Sequence, residues 1–197
     1  MSKGTQTKEM ILERCAQLFS KQGYFGSSLA DIMQETGLEK GGIYNHFSSK
    51  EELALESFDY AFSLLQQRMR LALEGKTHAV ERLYAILAYF QSLLEEPVIV
   101  GGCPILNTAV EADDAQPALR ERALHAMDSL SSTIERIVAK GIRKQELRPE
   151  IDVAACATLF VATLEGAVMM SKLYRDTVYM KRAVEHLRWY IDTQMRG

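Results

Sequence analysis

Apolar residues recur at intervals of three and four along almost the whole chain, and no stretch alternates convincingly at period two. A spacing near 3.6 aligns side chains on one face of a helix, so this pattern predicts an all-α protein. A first helix spans about Thr7 to Gln22, with Ile11, Cys15, Leu18 and Phe19 on one face and Gly23 as its stop. Ser28 can cap a short helix from Leu29 to Glu35, ended by Gly37. Ser49 with Glu52 three residues on reads as a capping box opening a long helix to about Leu73. Thr77 can cap the next helix, which stops at Pro97, and Pro104 suits the first turn of another. After an A-D-D-A-Q-P connector, helices are predicted over Ala118–Arg143, from R-P-E-I-D (148–152) to Tyr174, and over Val178–Met195. The count is about nine.

Bulk properties narrow the classes. The chain has 197 residues, 47% of them hydrophobic and only four proline, which suits a globular helical protein and not a disordered one. Its net charge is −3, so no global basic character advertises nucleic acid. Six basic and five acidic residues up to position 50 nevertheless leave +1 there, against −4 in the remainder. Lys3 and Lys8 read either as phosphate contacts from a mobile N-terminal arm or as solvated surface charge. Cys15, Cys103 and Cys156 are odd in number and share no CxxC spacing, which suits free thiols in a reducing compartment. The N-terminal M-S-K-G-T-Q-T-K has no apolar core, and the apolar run Val153–Met170 is broken by Thr158, Thr163 and Glu165. A cytoplasmic protein with no membrane partner is expected. No H-x-x-x-H or E-x-x-H spacing supports a metal, and nothing calls for a cofactor.

The densest cluster of unusual residues is L-E-K-G-G-I-Y-N-H-F-S-S-K (38–50). A phosphate-binding P-loop needs G-x-x-x-x-G-K-[ST] after a strand, and neither spacing nor strand is present. A plain inter-helix turn is one remaining reading. The other is a helix-turn-helix: Leu29–Glu35, a turn at Thr36-Gly37-Leu38, and a second short helix that enters the major groove by its N-terminal end. Gly41 and Gly42 then stand where the backbone approaches bases or phosphates, despite costing a helix about 1 kcal/mol each. Tyr44, His46 and Lys50 follow at spacings that reach sugar–phosphate oxygens, while Ile43 and Phe47 face back into the domain. Base reading is expected at Lys40, Gly42, Asn45 and the helix start at Ser28, with Asn45 suited to an adenine edge.

The ordered set Phe19, Gly23, Tyr24, Ser27, Ser28, Leu29, Ile32, Gly37, Leu38, Lys40, Gly41, Ile43, Tyr44, His46, Phe47, Ser49, Lys50, Glu51 and Leu53 is gap-free over about 35 residues. It resembles the N-terminal domain of the TetR family of transcriptional repressors. The remainder resembles that family only in length, helical content and a G-C-P-x-x-N-x-x-x-E segment. Where many members carry Thr or Ser, this chain has Gly42 and gives up a hydroxyl.

The resemblance implies a helix-turn-helix domain over residues 1–48 and a helical ligand-binding and dimerisation domain over 49–197. It further implies a homodimer that represses transcription from a palindromic double-stranded operator and is released by a small hydrophobic effector, with no catalysis. Ala118–Arg143 and the Ala- and Gly-rich Val153–Tyr174 would pack against a second copy, unless the latter is the central helix of a monomer. An effector pocket is implied, with Phe62, Met69, Tyr84, Leu87, Phe90, Leu106, Asn107, Met127, Glu165 and Met169 as candidate lining and ordinary core as their other reading. The Glu165 carboxylate needs a partner, so it either pairs internally or orients an effector. Cys103, with Lys172 as a nearby cation, is a candidate redox sensor at a helix N-terminus or else a small residue filling a tight connector. The competing function is an enzyme or carrier on an all-α bundle, for which no nucleophile–base pair is found.

Overall fold

The computed structural model describes residues 2–112 and 116–197. Among these residues the chain forms nine α-helices and no strand beyond a bridge between Leu147 and Arg196. The helices are α1 (Lys3–Gln22), α2 (Leu29–Thr36), α3 (Lys40–Tyr44), α4 (Lys50–Leu73), α5 (Ala79–Glu95), α6 (Pro104–Ala112), α7 (Pro117–Arg143), α8 (Val153–Tyr174) and α9 (Val178–Tyr190). A five-residue π-helical turn, Ile191–Met195, extends α9. Asp113, Asp114 and Ala115 of the predicted A-D-D-A-Q-P connector lie outside the described residues.

Two helix starts differ from the sequence reading because of their caps, and a third cap closes differently while its helix starts as expected. Helix α1 begins at Lys3 and not at Thr7, because the Ser2 hydroxyl accepts the Thr5 N–H at 3.2 Å. The N-terminal segment is therefore helical, and Lys8 is no arm: its ammonium bonds Glu56 of α4 at 2.9 Å and lies over the Phe47 ring. At α5 the cap is His78 in place of Thr77, and the Ala79 N–H donates to Glu146 at 2.7 Å. At α4 the Ser49 hydroxyl does accept the Glu52 N–H, but the Glu52 carboxylate bonds Ser48 instead of closing the box on Ser49.

Two compact units result. The first is Met1–Leu65 with Val98–Ala126; the second is Gln66–Pro97 with Met127–Gly197. Compactness thus follows a different line from the chain division at 48/49, since α6 and the start of α7 belong with the N-terminal helices. The core of the first unit joins Ile11, Cys15 and Leu18 of α1 to Ile32, Ile43, Phe47 and Leu53. Each large apolar side chain so buried contributes about 1.5–3 kcal/mol. Five residues of α3 could not hold a helix alone; anchoring by Ile43 and Phe47 does.

In the second unit α8 packs on α5 and α9, burying Phe160, Leu164 and Val168. By length and composition α8 could cross a membrane. Its inner side is instead the core of this unit, and Leu159, Met169, Met170 and Leu173 stay exposed on the other.

Candidate nucleic-acid interface

The helix-turn-helix is assembled by local rules. The Ser28 hydroxyl accepts the Asp31 N–H while the Asp31 carboxylate accepts the Ser28 N–H at 2.7 Å, a complete capping box. These bonds hold the Asp31 carboxyl below the usual carboxylate range. Gly37 closes α2 at φ 69°, a left-handed conformation that glycine adopts without penalty, and its N–H bonds Met33 O. Helix α3 follows after two residues.

What α3 presents outward is unusual. Lys40, Gly41 and Asn45 are exposed, Gly42, Tyr44 and His46 are half-buried, and Ile43 is fully buried. Neither Gly41 nor Gly42 has a positive φ. A Cβ added at Gly41 would meet nothing within 4 Å, and at Gly42 only the Leu38 side chain at an ordinary 3.5 Å. The fold therefore requires neither glycine. What they provide is bare backbone on an outer surface. The Lys40 ammonium lies 5.8 Å from the Tyr44 ring centre, which keeps that charge beside α3. The Ser28 hydroxyl, by contrast, is committed to Asp31, which it also bonds as a donor at 2.6 Å.

Lys50 has an internal task. Its ammonium donates to Tyr24 O at 2.8 Å and lies 4.4 Å from the Tyr24 ring centre. Partial burial lowers its pKa, opposed by the charges of Glu111 and Asp31. An ammonium has three donors, so the Tyr24 bond and an outside anion can be served together.

A second set of contacts ties the far connector and α6 to α1. Gln17 clamps the connector, donating to Val98 O at 3.2 Å and accepting the Val100 N–H at 2.8 Å. Asn107 donates to Ser20 O and Gly101 O. The Glu111 carboxylate accepts the N–H of Tyr24 at 2.9 Å and of Phe25 at 2.7 Å, in the turn between α1 and α2. Gly23 lets it approach: φ is 80°, and a Cβ there would lie 2.6 Å from Glu111. This clasp was missed in sequence. One signal was available, because a carboxylate in the last turn of a helix sits at the end where the dipole disfavours it.

A family model described as "Bacterial regulatory proteins, tetR family" matches residues 11–56, and "Tetracyclin repressor-like, C-terminal domain" matches 79–187. The chain belongs to the TetR family. A TetR transcriptional regulator from Chloroflexus aurantiacus J-10-FL is 46% identical, with a TM-score of 0.96 over 100% of this chain and 99% of that one. A TetR-family regulator from Cytophaga hutchinsonii is 33% identical, with a TM-score of 0.88 over 98% and 96%. The HTH-type transcriptional repressor DhaR of Mycobacterium sp. (strain GP1) is 27% identical over 87% of this chain and 85% of its own length. As a TetR-family protein the chain is a DNA-binding transcriptional regulator and not an enzyme.

The candidate effector residues of this TetR-family chain fall in both units. Phe62, Leu106 and Asn107 belong to the first, and Met69, Tyr84, Leu87, Phe90, Met127, Glu165 and Met169 to the second. Leu87, Phe90 and Glu165 are buried, and Tyr84 donates its hydroxyl to Asp192 under the Arg188 guanidinium. Met169 is 53% exposed, on the outer side of α8 and facing no internal cavity. Of the ten, only Asn107 lines the cavity of the first unit, whose other walls include Phe19, Ser20, Tyr24, Ser57, Phe58 and Glu111.

The thiols are buried. Cys103 precedes α6 and is 3% exposed, while Lys172 is exposed in the last turn of α8. Burial first, and then the Glu35 charge, pushes the Cys15 thiol up to about 12; burial and Asp152 push Cys156 up to about 11. Neither of these two forms a thiolate near neutrality.

Proposed function

We propose that this regulator represses transcription in the cytoplasm as a homodimer on a palindromic operator and is released by a small hydrophobic effector. The observation that carries the reading is the surface of α3, whose two glycines serve no purpose inside the chain. An α-helix with bare backbone at its leading end can press against a groove floor, and Asn45 can pair with an adenine edge. Lys40 joins Asn45 at the base edges, Tyr44, His46 and Lys50 contact sugar and phosphate around them, and the exposed start of α2 at Ser28 lies against the duplex.

The exposed Leu159, Met169, Met170 and Leu173, with Ala162 and Gly166 between them, form an apolar face on α8 that a second copy would cover. Two recognition helices then sit about one duplex turn, ~34 Å, apart. The clasp of Gln17, Asn107 and Glu111 supports the ligand response, because any displacement of α6 pulls on the turn that carries α2. By linkage, an effector that weakens DNA binding must itself be weakened by DNA to the same factor.

The test is fluorescence anisotropy with DNA from upstream of the chain's own coding sequence, against a shuffled duplex, over a range of salt. Tight, salt-dependent binding to the former and weak binding to the latter is expected. Equal affinity for both would remove operator recognition from the account.

A further inference from the structure

We propose that the first unit holds a binding site for a small neutral ligand with hydroxyl or carbonyl groups, set between α1, α4 and α6 beside the Glu111 clasp. Its regulatory consequence rests on the ligand-responsive reading above; the existence of the site does not. The cavity has a volume of about 40 Å³. One water needs about 10–15 Å³, and an apolar cavity that holds benzene is about 150 Å³, so the occupant is smaller than benzene.

Two hydroxyls on its walls, Ser20 of α1 and Ser57 of α4, are buried and make no hydrogen bond among the described residues. Ser57 is 0% exposed. A helical serine has a ready acceptor in the carbonyl four residues back, and Thr36, Thr133 and Thr158 each use theirs. Ser57 does not. A buried hydroxyl without a partner is unfavourable, so two of them lining one cavity point to an occupant that can hydrogen-bond.

The rest of the wall sets the chemistry. Phe19, Phe58 and Leu119 are apolar and suit a short hydrocarbon body. Among the described residues Glu111 is the charged group of the lining, and its two oxygens each accept one N–H, from Tyr24 and Phe25. An anion would meet that carboxylate at close range, and a cation would be desolvated among otherwise neutral walls beside a carboxylate whose charge two N–H groups already offset. A neutral alcohol, diol or ketone meets neither objection. Because Asn107 and Glu111 line the same cavity, an occupant that swells it acts on the two side chains holding α6 to α1 and to the turn that follows it.

The experiment is saturation-transfer NMR on the full chain with propane-1,2-diol, propan-1-ol and acetone as probes. Saturable binding in the millimolar range is expected, as suits ligands of so few atoms. Ser57→Ala and Ser20→Ala should each weaken the diol by about two- to tenfold. Ser63→Ala, at an exposed serine on the same helix, should leave it unchanged. No saturable binding by any probe, or equal binding in Ser57→Ala and Ser63→Ala, overturns the site. The same probes are then added to the protein–DNA complex. Release of DNA at the concentrations that fill the site supports the coupling. Serine-dependent binding with unchanged DNA affinity keeps the site and removes its regulatory role.

Discussion

Gly41 on α3 and Gly166 on α8 share one property: a Cβ added at either would meet nothing within 4 Å. Their surroundings differ. Around Gly41 the surface carries Lys40, Asn45 and bare backbone; around Gly166 it carries Ala162, Met169, Met170 and Leu173. Each face leaves space that its own chain does not fill, and the chemistry beside the space states what belongs there. The polar, amide-rich face suits a polyanion with readable edges, and the apolar face suits another apolar face. The second case is the stronger anomaly, since exposed Leu and Met in a cluster are unfavourable in water, while a polar face is at ease there.

The comparison breaks most visibly at Gly166. Gly166→Leu should leave the folded protomer intact and raise the dimer dissociation constant by about 30-fold or more, the effect of losing about 2 kcal/mol at the centre of an interface. Sedimentation equilibrium reads it. An unchanged oligomeric state would mean that a second copy does not cover α8.

Next comes the tie between α6 and the DNA-binding helices. Glu111→Ala leaves the half-buried Tyr24 N–H without its acceptor and hands the exposed Phe25 N–H to water, at a cost of about 2 kcal/mol with the lost charge-assisted bonds. For a chain of this size the melting temperature should fall by about 4–8 °C. Calorimetry showing no change would reduce the clasp to a surface contact.

An effect of comparable size, on DNA and not on stability, is expected at Asn45. Asn45→Ala should reduce discrimination between operator and random DNA by about 1–3 kcal/mol while leaving random-sequence affinity alone. If operator preference survives, Asn45 touches only phosphate. Lys50→Ala should weaken operator and random DNA alike and flatten the salt slope by about one unit. A loss confined to the operator would instead mark Lys50 as acting through Tyr24, whose carbonyl it holds.

How legible these regions were follows from where their partners lie in sequence. The helix-turn-helix closes its hydrogen bonds within three or four residues, as in Ser28 with Asp31 and Gly37 with Met33, so its caps and its glycine turn could be read directly. The buried pair Ile43 and Phe47 also followed from helical spacing. The misses are remote. Glu111 meets Tyr24 across 87 positions, and Glu146 takes the Ala79 N–H across 67. No local pattern encodes such a cap, which is why the α5 start shifted by one residue and the clasp went unread although its Asn107 and Glu111 stood in a recognised segment. The same limit explains the effector residues. Helical period separates buried from exposed but cannot say which buried residues border a cavity, and Ser20 and Ser57 carry no outward sign of theirs.

If the face of α3 is shaped for DNA and not for the fold, Gly41→Ala shows it in two readings on one protein. Replacing a helical glycine that has open space should stabilise the chain by about 0.5–1 kcal/mol, raising the melting temperature by about 1–4 °C. The added methyl group should at the same time stand between the backbone and the duplex, and anisotropy should show operator affinity falling by about tenfold, the equivalent of 1.4 kcal/mol. A variant that is as stable or more stable but binds its operator less well is the predicted result. Undiminished operator affinity in Gly41→Ala would contradict the account.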